Sequence, residues 1–246
     1  MNRRMNRLHR EVMRLLIGEI VSGQRPAGEM LPREVDLAEE FGVSRGVARE
    51  CIRAMEERGL ISVKHGRGAT ISPSASWDVF DPDVLAAMLD SQRGSEVLAD
   101  YVECRRIIEV AAVGLAAERA TPAMLEAATE ALERMERSAG RSGPAAEELF
   151  HEADVSFHQA LIRASGNRAL ADVAKRIHAG LVVARFPLAR PQYRHERALP
   201  EHRRILDEVM SGDAEGACRA MSDHLDTIAG YLAEHAVLAD GAAQRT

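Results

Sequence analysis

Aromatic residues are scarce. One Trp, three Tyr and five Phe make up 4% of 246 residues, against abundant Ala, Leu, Glu and Arg. That composition argues against a β-sandwich and favours helices. Cysteine is nearly missing: Cys51, Cys104 and Cys218 are an odd number without CxxC spacing. A disulfide framework and a cysteine zinc site are therefore not expected. No uninterrupted apolar run approaches the roughly 18 residues of a membrane span. The Arg-rich first ten residues lead into an amphipathic segment, unlike a secretory signal, and the expected location is the cytoplasm. What is present is 46% hydrophobic and 28% charged residues, enough to bury a core. At about 100–200 residues per domain, the length allows one large domain or two ordinary ones.

The net charge of −6 conceals an asymmetry. Residues 1–72 hold 13 Lys and Arg against 10 Asp and Glu, a net of +3, and the remainder holds 19 against 28, a net of −9. A basic N-terminal part on an acidic partner suggests a nucleic-acid module joined to a regulatory or catalytic domain. Differences of this size also occur between ordinary solvated surfaces.

Residues 5–22 read as an amphipathic helix with Leu8, Val12, Leu15, Leu16 and Ile20 on one stripe. Pro26-Ala27-Gly28 makes a turn, a short helix runs from Glu34 to Phe41, and Gly42 stops it. Ser44 is a good N-cap for a helix over 45–58, closed by Gly59. Two short strands, Leu60 to Val63 and Ala69 to Ile71, then flank a glycine turn at His65-Gly66-Arg67-Gly68. This is the order of a winged helix-turn-helix. In the 45–58 helix, Val47, Ala48, Cys51, Ile52 and Met55 share one face and Arg45, Gly46, Arg49 and Arg53 the other. Arginines at the N-terminus of such a helix suit guanine edges and phosphates in a major groove. The alternative is a solvated arginine face on a structural helix. The basic wing tip, which could enter a minor groove or grip phosphate, favours DNA.

The stretch PAGEMLPREVDLAEEFGVSRGVARECIRAMEERGLISVKHGRGATI resembles the DNA-binding domain of the GntR family of bacterial transcription regulators. The resemblance covers roughly residues 8–72. It implies that Ser44, Arg45, Gly46, Val47 and Arg49 approach the operator, with His65 and Gly66 from the wing. Family members often carry Arg where this chain has Val35, so a phosphate or base contact there is either missing or supplied by Arg33 from two residues away.

Residues 73–80 have linker composition, with Trp77 read as an anchor of that linker. Asp81-Pro82 forms an N-cap and N1 pair. Helical period then continues over 82–91, 95–119, 122–138, 144–165, 168–186, 192–211 and 213–238. The expected fold is mainly α: a winged helix-turn-helix over 1–72, a linker over 73–80, and an all-α bundle of about seven helices over 81–246.

Several polar residues fall on apolar stripes of this bundle. Asp154 and His158, four residues apart, lie on the face of Phe150, Phe157, Leu161 and Ile162. His202 shares the face of Ile205, Leu206 and Val209. His224 sits among Ala217, Met221, Ile228 and Tyr231. Each alone reads as a hydrogen-bonded core residue. Together, burying four such groups would cost several kcal/mol unless compensated. A divalent ion compensates all four, and imidazoles with a carboxylate suit Zn²⁺, Ni²⁺, Mn²⁺ or Fe²⁺. Arg105 lies inward with Leu98, Tyr101, Val102 and Ala112. Its partner is either Glu109, one turn away, or the carboxylate of a small ligand.

Asp-x3-His, Glu-His-x-x-Ile-Leu and a His-Leu 22 residues further on resemble the FCD ligand-binding domain of the FadR subfamily. So do Arg105-x-x-Ile108-Glu109 and Ala164-Ser165-Gly166-Asn167. The resemblance spans roughly 95–236. It implies a metal held by Asp154, His158, His202 and His224, zinc first among the candidates, with Arg105 and Asn167 on the effector side. His151, His178, His195 and His235 match no ligand position and are read as ordinary polar residues.

The combined reading is a cytoplasmic transcription repressor, on the nucleoid when DNA-bound. It is a homodimer on a near-palindromic operator. A small carboxylate effector binds over the metal, and the stretch Trp77…Asp81-Pro82-Asp83-Val84-Leu85, similar to members that sense sugar acids, suggests a hydroxylated acid such as an aldonate. The rivals are a metal-dependent enzyme acting on a small carboxylate, and a regulator that senses an acyl ligand without metal.

Overall fold

The computed structural model describes residues 2–64, 66, 68–183 and 197–243. It divides into two compact units, Met1–Val97 and Leu98–Thr246. No described helix is long and apolar enough to cross a membrane.

In the first unit, α1 (Asn2–Val21) is followed by α2 (Glu34–Glu40), α3 (Arg45–Glu57), β1 (Ile61–Lys64) and β2 (Gly68–Ile71). The buried stripe of α1 is Val12, Met13, Leu16, Ile17 and Ile20, whereas Leu15 is 46% exposed. This corrects the expected stripe. Met13 and Ile17 lie within about 100° of Leu16 around the helix, while Leu15 lies about 130° from the stripe's centre. Both α2 and α3 end in glycine caps. Gly59 has φ 71°, and Leu60 N donates to Met55 O at 3.0 Å, the six-residue closure that such a turn supplies. β1 and β2 pair antiparallel with Ile61 opposite Ile71 and Lys64 opposite Gly68. Residues 28–31 add a third edge that alternation did not reveal: Leu31 N donates to Ala69 O and Ile71 N to Glu29 O.

The segment read as a linker is held by this unit. Trp77 packs on its core and donates Nε1–H to Ser72 O at 3.3 Å. Asp78 N donates to Arg58 O, and Arg58 is ion-paired with Asp81 at 3.0 Å. α4 (Pro82–Leu89), capped by Asp81, packs on α1 and buries Val84 completely in the same core. The boundary therefore differs from the expected 73–80 linker. The division falls after Val97, because Val84 continues the apolar core of the winged helix.

The second unit takes the rest of α5 (Gly94–Arg119), then α6 (Pro122–Ala139), α7 (Pro144–Ala164), α8 (Arg168–Val183), α9 (Leu199–Ser211) and α10 (Ala214–Ala243). Pro occupies the first turns of α6, α7 and α9, where its missing N–H costs nothing. The expected helix over 192–211 is described from Leu199, and its earlier part lies outside the described residues. Phe150, Phe157, Leu161, Ile205, Leu206, Met221, Leu225 and Ile228 are buried in this bundle.

Candidate functional site

The first candidate surface is the outer face of α3. Ser44 caps the helix, its hydroxyl accepting from Val47 N at 3.3 Å. Val47, Ala48, Cys51 and Met55 are buried, whereas Arg45, Gly46, Arg49 and Arg53 are exposed. Arg53 pairs with Glu57 at 3.1 Å, but Arg45 and Arg49 are engaged in no ion pair among the described residues. Val47 is turned into the core at 7% exposure, which leaves its backbone at the helix end for any approach to the operator. Arg33 stands exposed at the start of α2, paired with Asp36 at 3.1 Å, and Val35 is 44% exposed on that helix. Gly66 is exposed at the wing tip. His65 and Arg67 lie outside the described residues.

The second candidate is inside the bundle. His158 on α7, His202 on α9 and His224 on α10 each bring one ring nitrogen within 4.8 Å of the others, all three residues being buried. His158 Nε2 and His202 Nε2 are 3.1 Å apart. Asp154 Oδ1 is 3.0 Å from His202 Nε2 and 3.9 Å from His158 Nε2. Phe157 packs edge-on against the His202 ring at 4.9 Å and closes that side.

The opposite nitrogens explain the orientation. His202 Nδ1 donates to Ala198 O at 2.6 Å, and His224 Nδ1 to Glu201 Oε2 at 2.8 Å. His158 Nδ1 lies 2.6 Å from Glu109 Oε2, an ion-pair distance without good hydrogen-bond alignment. With Nδ1 of each ring facing its own acceptor, the three Nε2 atoms are turned toward one centre, where His202 Nε2 also lies within hydrogen-bond distance of His158 Nε2 and Asp154 Oδ1. His224 Nε2 is buried with no partner.

Burial, then the neighbouring His202 and His158, push the His224 imidazole well below its ordinary range. Burial lowers His158 as well, against the pull of Glu109 and Asp154. Burial alone would raise Asp154, but the His202 hydrogen bond and the His158, His202 and Arg105 charges outweigh it and hold the carboxyl far below the carboxylate range. Glu109 behaves alike: burial opposes ionisation, and Arg105, His158 and His178 overcome it.

This donor set fits a divalent cation. Imidazoles held low, as at His158 and His224, beside an ionised Asp154 are the protonation states a metal requires. The 3.1 Å separation of two Nε2 atoms is close to the roughly 3.3 Å expected of neighbouring nitrogens around tetrahedral zinc. An unpartnered buried nitrogen on His224 gains a partner.

The comparisons with known proteins cover both units. Residues 8–71 match the "Bacterial regulatory proteins, gntR family" description and residues 100–227 the "FCD domain". The chain belongs to the GntR family, with an FCD domain. Among its GntR relatives, the galactonate operon transcriptional repressor of Escherichia coli (strain K12) is 31% identical over 206 residues, covering 82% of this chain and 86% of that one. The HTH-type transcriptional regulator LutR of Bacillus subtilis (strain 168) is 30% identical over 225 residues, covering 88% and 99%. The transcriptional repressor NanR of Citrobacter rodentium is 30% identical, covering 82% and 76%. The fold matches that of Lar of Listeria monocytogenes, with a TM-score of 0.65 at 22% identity over 92% of this chain and 96% of that one. This GntR protein is a DNA-binding transcription regulator, not an enzyme, and its FCD domain is the module for a small-molecule effector.

The other expected site residues divide. Arg105 is buried and meets Glu109, with Nε to Oε1 at 2.7 Å and Nη2 to Oε2 at 3.4 Å, so the local partner offered by the sequence is engaged. Asn167 is not brought to the cluster. It is exposed at the turn into α8, where its side-chain carbonyl accepts from Leu170 N at 3.1 Å, a capping role. Three residues escaped the sequence reading. Glu109 accepts from Arg105 and His178 and lies 2.6 Å from His158 Nδ1. Glu201 orients His224 and also accepts from Thr227 Oγ1 at 3.0 Å. His178, read as an ordinary polar residue, is 3% exposed, with Nε2 2.7 Å from Glu109 Oε1. A signal for Glu109 was its i,i+4 spacing from inward-facing Arg105. His178 gave a weaker one, four residues after buried Ala174 on α8.

Proposed function

We propose that this regulator is a repressor whose grip on DNA is controlled by a small carboxylate bound at a divalent metal, zinc being the best fit. Nickel, manganese and iron share the preference for imidazole and carboxylate ligands. The observation that supports the reading is the pinning of three imidazoles at Nδ1, with three Nε2 atoms and Asp154 left to converge. The ion, when bound, supplies a positive Lewis-acidic centre for a carboxylate oxygen. Asp154, His158, His202 and His224 would hold it. Glu109, Glu201 and the Ala198 carbonyl fix the rings. Arg105, oriented by Glu109, is the second positive group for the effector. A long acyl chain fits poorly against four buried polar groups.

The relative named for a galactonate operon makes galactonate the first effector to test, and a sugar acid matches a site that offers both cations and hydrogen-bonding nitrogens. On the DNA side, Arg45 and Arg49 are the base-reading candidates, with Arg33, Ser44, Gly46, His65 and Gly66 on or near phosphate. Two winged helices in a homodimer would read the halves of a near-palindromic operator.

The test is operator binding by fluorescence anisotropy, with operator fragments selected from random DNA, using zinc-loaded and chelator-treated protein. Galactonate should release DNA from the zinc-loaded form only. Release that is indifferent to metal would contradict the reading.

A further inference from the structure

We propose that His178 is a specificity-determining residue that accepts a hydrogen bond from a hydroxyl of the effector, so that the site selects hydroxy acids over their deoxy counterparts. The inference rests on the carboxylate-effector reading above and adds to it a residue outside the metal ligand set.

His178 is buried on α8, and its ring lies 6.2 Å from that of His158, edge to face. Its Nε2 is 2.7 Å from Glu109 Oε1, the same oxygen that accepts from Arg105 Nε. An ionised carboxylate only accepts, so the nitrogen facing it carries the proton. In the neutral ring, Nδ1 is then a lone pair and an acceptor. That Nδ1 is buried and has no partner.

His178 differs here from the three metal-facing histidines. They spend Nδ1 on a fixed acceptor or ion pair and point Nε2 at the centre. His178 spends Nε2 on the acceptor, so the nitrogen it has left is the unpartnered one. A buried acceptor on a ring in edge-to-face contact with His158 calls for a donor. The effector's carboxylate has no donor to offer at neutral pH, and neither does a metal-bound carboxylate oxygen. A hydroxyl on the same molecule does. Sites that hydrogen-bond a hydroxyl reject the analogue lacking it, because the buried group is then stranded.

Calorimetric titration of the full-length, zinc-loaded chain with matched pairs tests this: galactonate against hexanoate, lactate against propanoate, glycolate against acetate. The wild type should prefer the hydroxylated member of the pair that fits the site. In His178→Phe, which keeps a ring and removes the acceptor, the preference should shrink by about tenfold or more while zinc content stays the same. His178→Gln, which restores an acceptor, should recover part of it. Acid binding with an unchanged hydroxyl preference in His178→Phe overturns the inference, Nδ1 then serving only a bound water. A wild type that binds acids without hydroxyl preference overturns it equally, leaving the carboxylate reading intact. A zinc-loaded wild type that binds none of the acids overturns both.

Discussion

A histidine has two nitrogens and only one is useful to a metal at a time. His202 and His224 each commit Nδ1 to an acceptor in the protein, the Ala198 carbonyl and Glu201 respectively. Such outer acceptors set the tautomer and raise ligand basicity, and losing one typically costs about 10–100-fold in metal affinity. Glu201→Ala should therefore weaken zinc binding by about that factor in a competition titration while leaving the helical signal unchanged. An unchanged affinity would separate Glu201 from the site. The same residues predict a pH dependence. The folded-state His158 and His224 lie below the ordinary imidazole value of about 6.5. The unfolded chain then binds more protons as pH falls through that value, so the metal-free protein loses stability on acidification. Asp154 and Glu109, held below the carboxylate range, extend the loss below about pH 4. Urea midpoints for metal-free protein should fall from pH 7.5 to 5, and a rise would refute the assignment. Metal affinity should fall over the same interval, since protonated imidazole does not ligate.

At the scale of elements, α3 does two jobs. Its inner face anchors the winged helix and its outer face offers Arg45 and Arg49. Alanine at either arginine should cost about 1–3 kcal/mol of specific operator binding without loss of fold, because both side chains are exposed. Wild-type affinity across a salt series would remove α3 as the reading helix. The helix's exit is more demanding. Gly59 has φ 71°, and a Cβ there would lie 2.0 Å from Ser76 O. Gly59→Ala should destabilise the first unit by about 2 kcal/mol or more, read as a lowered thermal transition. Most helices were legible from period, capping residues and breakers, and Asp154, His158, His202 and His224 from their places on apolar stripes. Leu15 was misread because apolar identity at helical spacing does not say where a stripe is centred. Glu109, Glu201 and His178 were not legible as site residues, since their roles depend on which neighbours α5, α7, α8, α9 and α10 bring together. Asn167 was carried by motif alone, and its local chemistry is a helix cap.

At the scale of the molecule, the matched segments 8–71 and 100–227 fall one in each compact unit, yet the first unit runs on to Val97. Its extra helix, α4, joins the winged-helix core through Val84. The proposed dimer should appear as a two-chain species at micromolar concentration in sedimentation, and a monomer there would leave the two-half-site operator without support. The central claim is that the bundle holds a divalent ion, and its most direct test is the zinc stoichiometry of the purified full-length chain by elemental analysis, compared with His202→Ala. One zinc per chain in the wild type and a small fraction of that in the variant is the predicted result. Equal metal content in the two proteins, or a wild type that takes up no divalent ion after metal is supplied, would contradict it.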